Sequence, residues 1–255
     1  MAQVIKSLEN PIIKEASSLK QKKYRKLLNL AILEGHKIID EGINSKLEFV
    51  NLFIDENKKD TYSKYAHLIK CNIIYTDERV LKAISPSDTP QGILATVKTK
   101  YLTPMVIDNN NFLVLEHIQD PGNVGAIIRS AAASNFKNIF MIDCVDVYND
   151  KVVRASMGNL FKVNCYDISL EKLQKLLSVK ENYELYLADM NGKNIFQLDL
   201  PKNKVIGIII GNEGSGVTEN IKKLATQTIS IPMQNGVESL NAAVSASILM
   251  YKMNY

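Results

Sequence analysis

The chain has 255 residues, 46% of them hydrophobic and 23% charged, with a net charge of +4. That balance is ordinary for a soluble globular protein, and a chain of this size can bury a core without metals or disulfides. Three widely spaced cysteines, Cys71, Cys144 and Cys165, with no CxxC pair, exclude a disulfide framework and leave no metal site to expect.

The longest apolar run, Val205–Ile210, is far too short for a membrane span. The N-terminal segment lacks the uninterrupted apolar stretch of a signal peptide, so a cytoplasmic location is expected. Residues 1–30 carry seven cations (Lys6, Lys14, Lys20, Lys22, Lys23, Arg25, Lys26) against Glu9 and Glu15, so the rest of the chain is close to neutral. Such a cluster suits a polyanion-binding face, although a charge run taken alone reads first as a solvated helix face.

In chain order, apolar spacing predicts a helix over 11–28, a strand at 31–33, a short helix from 37, and strands at 47–54 and 72–75 with a helix between them. A strand at 93–97 closes a small α/β domain, and the polar, Pro104-bearing stretch 98–110 marks a boundary. Beyond it come a buried strand at 112–115, a helix at 123–134, a strand at 139–142 and a short helix at 151–157. Strands at 184–188, 205–210 and 228–231 follow, then a closing helix at 241–253. Continuous apolar strands between helices predict a parallel sheet covered on both faces, whose chemistry lies in the loops at the carboxyl ends of its strands.

Three such loops stand out. The first, Gln119-Asp120-Pro121-Gly122-Asn123-Val124-Gly125, enters the helix bearing Arg129. The second, Gly211-Asn212-Glu213-Gly214-Ser215-Gly216, follows VIGIII. The third runs from Ile231-Pro232-Met233 through to Ser239-Leu240-Asn241. None has GxGxxG spacing, and Val217 stands where a phosphate-binding loop needs lysine, so dinucleotide binding and nucleotide hydrolysis are not indicated. GxSxG and HExxH are absent, and His36, His67 and His117 are scattered. Each loop alone is what a turn needs; together Asn123, Arg129, Glu213, Ser239 and Asn241 form a set of donors and acceptors able to hold an adenosine edge and position a hydroxyl.

The segments LEHIQDPGNVGAIIRSAAASN, IIIGNEGSGV and ISIPMQNGVESLNAAVSASI resemble, in order, the three motifs of the SpoU (TrmH) family of RNA ribose 2′-O-methyltransferases, of the SPOUT class. The likeness spans about 110–255. NPIIKEASSLKQKKYRKLLNLAILEGHKIIDEG and TPQGILA are similar to the ribosomal-protein-like substrate-binding domain that precedes the catalytic domain in many members. The organisation expected is therefore a substrate domain at 1–98, a linker at 99–110 and a methyltransferase domain at 111–255.

The resemblance implies an α/β fold with a parallel SPOUT sheet and a deep trefoil knot, a homodimer, and S-adenosylmethionine as cofactor. It implies cofactor contacts at Gly211, Gly216, Ile231, Met233 and Leu240, and catalytic roles for Arg129, Asn123, Glu213, Ser239 and Asn241. Lys14, Lys22, Lys23, Arg25 and Arg154 are expected to contact RNA. A guanidinium stays protonated, so Arg129 is expected to bind phosphate and stabilise alkoxide charge rather than act as a base. The two-domain layout favours 23S ribosomal RNA; transfer RNA, or a silent RNA-binding protein of ribosome assembly, are the alternatives. Many members read SLNVSVA where this chain has SLNAAVS, a change within the last helix.

Overall fold

The computed structural model describes residues 3–104 and 106–255 and divides the chain into two compact units. Met105, in the expected linker, lies outside the described residues. One unit is Met1–Lys100 with Tyr148–Phe161; the other is Tyr101–Val147 with Lys162–Tyr255. The return of 148–161 to the first unit is no part of the linear division read from the sequence.

The first unit begins with β1 (Gln3–Val4), α1 (Pro11–Ser18) and α2 (Lys22–Leu28), followed by β2 (Leu30–Glu34), α3 (His36–Asn44) and β3 (Phe49–Asp55). Then come α4 (Lys59–Leu68), β4 (Asn72–Thr76), α5 (Glu78–Ile84) and β5 (Ile93–Lys98). Its mixed sheet has the order β1-β4-β3-β5-β2, with β2 and β3 antiparallel to β5. Ile13, Leu19, Phe53, Ile74 and Leu94 pack in its core.

The single helix expected over 11–28 is two. Asn10 caps the first, accepting from the Ile12 amide at 2.9 Å, with Pro11 in the first turn. The break follows Ser18, whose hydroxyl bonds back to the Glu15 carbonyl. The Arg25 guanidinium then takes the carbonyls of Leu19 and Lys20 at 2.8 and 2.9 Å, satisfying groups that a continuous helix would have paired.

The second unit contains β6 (Asn111–Glu116), α6 (Pro121–Ala133) and β7 (Phe136–Ile142). The chain then contributes α7 (Asp150–Ala155) to the first unit. It returns as β8 (Asn164–Asp167), α8 (Leu170–Ser178), β9 (Tyr183–Asn194), β10 (Val205–Ile210), α9 (Glu219–Lys222), β11 (Gln227–Ser230) and α10 (Ala242–Asn254). All strand pairs in its sheet are parallel, in the order β11-β9-β10-β6-β7-β8.

Every residue of β10, VIGIII, is buried between β9 and β6, as a central parallel strand requires. Phe112 and Phe140 meet edge to face at 5.7 Å in the core. From β11, the edge strand, the chain returns to the middle of the sheet, where α10 packs on α6 and β10. No helix of the described residues is long and apolar enough to cross a membrane.

Candidate functional site

The carboxyl ends of β6 and β10, neighbours in the sheet, bring the first two loops side by side. Asp120 caps α6 by accepting from the Asn123 amide at 2.7 Å, and Pro121 occupies the first turn. In the second loop, Asn212 and Gly216 exchange backbone hydrogen bonds at 3.0 and 2.8 Å, closing a tight turn. The Asn212 Oδ1 accepts from the Gly214 and Ser215 amides, while its Nδ2 donates to the His117 carbonyl at 3.2 Å and so ties the second loop to the first. A Cβ at Gly211 would fall 2.5 Å from the Gly216 backbone, so only glycine permits this closure.

The exit of the second loop is held from beneath. Glu116, 3% exposed at the end of β6, accepts from the Thr218 amide at 2.7 Å and from the Thr218 hydroxyl at 2.8 Å. A buried carboxylate with two donors from one residue fixes that residue firmly.

The third loop ends at Asn241, which caps α10 by accepting from the Ala243 and Val244 amides. Its Nδ2 donates to Asn123 Oδ1 at 2.8 Å and to Glu213 Oε1 at 2.6 Å. The same Glu213 oxygen accepts from Asn123 Nδ2 at 2.9 Å and from the Ala242 amide at 3.0 Å. One carboxylate oxygen thus gathers all three loops, which are up to 118 residues apart in sequence.

Beside this junction opens a cavity of about 520 Å³. Gly211, Gly216, Ile231, Met233 and Leu240 all line it, as do Glu213 and Ser239. The far wall is Ala188–Asn191 in β9. There the pairing with β11 jumps, Leu187 facing Thr228 and Lys193 facing Ile229, so the intervening residues bulge from the ladder. Asn123 and Asn241 touch the cavity through Glu213. Arg129 does not line it: it is exposed on α6, its side chain making no ion pair or hydrogen bond among the described residues.

Cys144, behind the first loop, is no nucleophile. Its Sγ donates to the Ile142 carbonyl at 3.4 Å, and burial pushes the thiol up to about 12, so it stays protonated.

The SpoU rRNA methylase family model matches residues 110–251, more than half of the chain and the whole of the junction just described. The chain belongs to the SpoU family. An MRM3-like substrate binding domain matches residues 10–95. The chain is similar to the 23S rRNA (guanosine(2553)-2′-O)-methyltransferase RlmP of Bacillus subtilis, 27% identical over 98% of each chain. An uncharacterized tRNA/rRNA methyltransferase of Synechocystis is 28% identical over 97% of this chain and 92% of that protein. Among solved structures, the AdoMet-bound rRNA methyltransferase from Sinorhizobium meliloti shares the fold with a TM-score of 0.87, at 22% identity over 99% of this chain and 97% of that one.

As a SpoU member the chain is an RNA methyltransferase with an α/β SPOUT-type fold. Sequence reasoning missed three supports of its site: Asn212, the Glu116–Thr218 contact and the β9 bulge. For the first a signal existed, since an Asn followed two residues later by Gly at a strand end marks an Asx-type turn.

In the substrate domain, Lys14, Lys22 and Lys23 are exposed, Lys14 pairing with Glu9 and Lys23 lying 5.8 Å from the Tyr24 ring centroid. Arg25 departs from expectation. It is 3% exposed and its guanidinium is turned to backbone carbonyls, so it is a structural residue rather than a phosphate contact. Arg154 is half-buried and paired with Asp150 at 2.6 Å.

Proposed function

We propose that this SpoU member transfers a methyl group from S-adenosylmethionine to the 2′-hydroxyl of a ribose in 23S ribosomal RNA, working as a cytoplasmic homodimer. The observation that carries the reading is the meeting of Asn123, Glu213 and Asn241 at the rim of the cavity. The relative RlmP, matched end to end, is named for that reaction on 23S rRNA.

The cavity suits the cofactor. Its volume falls in the range of small-molecule sites, its wall is apolar at Ile210, Ile231, Leu240 and Leu249, and Gly211 leaves backbone open to close approach. When bound, S-adenosylmethionine supplies a methyl group activated by its sulfonium. The chain has to align that carbon with an incoming hydroxyl oxygen, and rigid loops achieve this at low entropic cost. Asn123, Glu213 and Asn241 lock the loops together, and Ser239 offers a hydroxyl toward the ribose.

Arg129 binds the phosphate beside the target ribose and stabilises the negative charge that develops as the hydroxyl loses its proton. Since Arg129 lies off its own chain's cavity, the reading assigns it to the cavity of the second copy. The homodimer has a physical basis in α10. That helix is apolar on nearly every face, yet Val244, Tyr251 and Tyr255 stand exposed at helical spacing, a stripe that a second copy would cover. The return of α10 to the sheet centre suits a chain end threaded as a trefoil knot. Lys14, Lys22 and Lys23 are read as phosphate contacts of the substrate domain.

The test is incubation of the protein with methyl-labelled S-adenosylmethionine and unmodified 23S ribosomal RNA, with transfer RNA as the comparison. Label in a 2′-O-methylated nucleotide of the ribosomal RNA supports the reading. Label in transfer RNA alone overturns the substrate, and label in a base overturns the acceptor atom.

A further inference from the structure

The first unit holds a second concavity, of about 470 Å³, that the methyl-transfer reading leaves unused. Three stretches of that unit form its walls: the start of α3 with His36 and Lys37, the 87–91 turn with Thr89 and Gln91, and the end of α7 with Arg154 and Met157. The third stretch is unusual in origin. It lies in sequence between β7 and β8 of the other unit's sheet, yet α7 packs against β2 of this one.

Each wall offers a different group. Lys37 and His36 are exposed. Asp150 steadies the Arg154 guanidinium at 2.6 Å, and five N–H donors leave capacity for a second anion. Met157, 43% exposed, sets an apolar surface beside these cations. Glu34 is the one carboxylate in the wall, and it is buried, accepting from the Ser85 and Ser87 hydroxyls at 2.6–3.1 Å. Gly35 has φ +89°, and a Cβ there would fall 2.6 Å from Gln91 Oε1, so the missing side chain lets the Gln91 amide lie against the backbone. The Gln91 carbonyl accepts from Lys58 Nζ at 3.1 Å and the Tyr62 hydroxyl at 3.0 Å, which holds the turn.

We propose that this cleft binds one unstacked nucleotide of the RNA substrate, with its phosphate at Lys37 and Arg154, its base on Met157 and its base edge at Thr89 and Gln91. The inference rests on reading the chain as an RNA methyltransferase. Proteins read single-stranded RNA by splaying bases onto apolar or planar side chains, bonding their edges and neutralising the phosphates. This cleft combines those three surfaces in a space suited to one nucleotide.

The full chain is titrated with an unmodified 23S ribosomal RNA transcript over a range of potassium chloride, as wild type, Lys37→Ala and Met157→Glu. Both side chains are exposed, and thermal unfolding and S-adenosylmethionine affinity report whether the variants remain folded. Each variant is expected to lose affinity on the order of tenfold. Lys37→Ala is expected to flatten the slope of log K against log salt by roughly 0.7–0.9. A 4-thiouridine-substituted transcript is expected to crosslink to the peptides around His36 or Met157. Folded variants with wild-type affinity and slope, or crosslinks confined to other surfaces while methyl transfer persists, overturn the inference alone. A wild-type protein that binds S-adenosylmethionine but no RNA overturns both the inference and the reading beneath it.

Discussion

Asn241 donates to Glu213 Oε1 at 2.6 Å while the next residue's backbone amide donates to the same oxygen at 3.0 Å. The start of α10 is thereby pinned to the second loop by a side chain and a main-chain group together, and Asn123 adds a third donor from α6 at 2.9 Å.

Removing that oxygen frees three loops at once. Glu213→Ala is expected to reduce methyl transfer by roughly 10²–10³-fold and to weaken S-adenosylmethionine binding. Glu213→Gln keeps an accepting oxygen but loses the charge that strengthens its bonds, so it should fall between wild type and Glu213→Ala. Steady-state kinetics with calorimetric cofactor binding measures both. Equal activity in Glu213→Ala and wild type contradicts the account of the junction.

Arg129 and Glu213 are expected to serve one site from two chains. Arg129→Ala alone should lose about 10²-fold or more in kcat and keep its cofactor affinity. Mixing Arg129→Ala and Glu213→Ala protein after unfolding and refolding together should restore part of the activity, because one heterodimer site then has both residues intact. A mixture no more active than its components contradicts the assignment of Arg129 to the second copy's cavity.

The basic N-terminal segment separates into two kinds of cation. Arg25→Ala strips two carbonyls of a buried charged donor and is expected to lower unfolding free energy by roughly 2–4 kcal/mol. Lys22→Ala and Lys23→Ala, both on exposed side chains, should leave stability within about 0.5 kcal/mol. Each should reduce the salt slope of RNA binding. Urea unfolding and RNA titration of the same three variants check both halves.

Burial pushes the thiols of Cys71, Cys144 and Cys165 up, to about 11, about 12 and about 12, from an ordinary value of 9.0. Above pH 9 the unfolded chain releases thiol protons that the folded chain retains. The stability they contribute is therefore fully present below pH 9 and is lost as the pH rises toward 11–12. Tyr65 acts in the same direction, through burial and its hydrogen bond to Asp40 at 2.8 Å. Calorimetry should show Tm falling between pH 9 and 11, whereas a Tm that holds there contradicts the burial of these groups.

What could be read in advance was local. The run VIGIII is the strand Val205–Ile210 to the residue, because six consecutive apolar residues leave no alternative phase. Asn241 starts α10, where the closing helix was expected, whereas α6 starts at Pro121 behind the Asp120 cap, ahead of the start expected at 123. The helix α8, absent from the elements expected above, also has a local signal, Ser169 before Leu-Glu-Lys with leucines at helical spacing. Other features were not local. Nothing in Arg25 itself distinguishes it from Lys22 or Lys23; it is buried because α1 ends where its guanidinium reaches. The wall at Ala188–Asn191 exists because β11 pairs with two separated parts of β9, a register that only the assembled sheet determines. Glu116 looks in sequence like any acid at a strand end, and its role appears only when Thr218 arrives from 102 residues away.

The central claim is best tested by the chemical position of the transferred methyl. Unmodified 23S ribosomal RNA is incubated with methyl-labelled S-adenosylmethionine and the protein, then hydrolysed in alkali. A 2′-O-methylated ribose cannot form the cyclic phosphate that cleavage needs, so the account predicts label in an alkali-resistant dinucleotide, abolished by Arg129→Ala. Label recovered in mononucleotides, or no transfer by a protein that binds both the cofactor and the RNA, would contradict it.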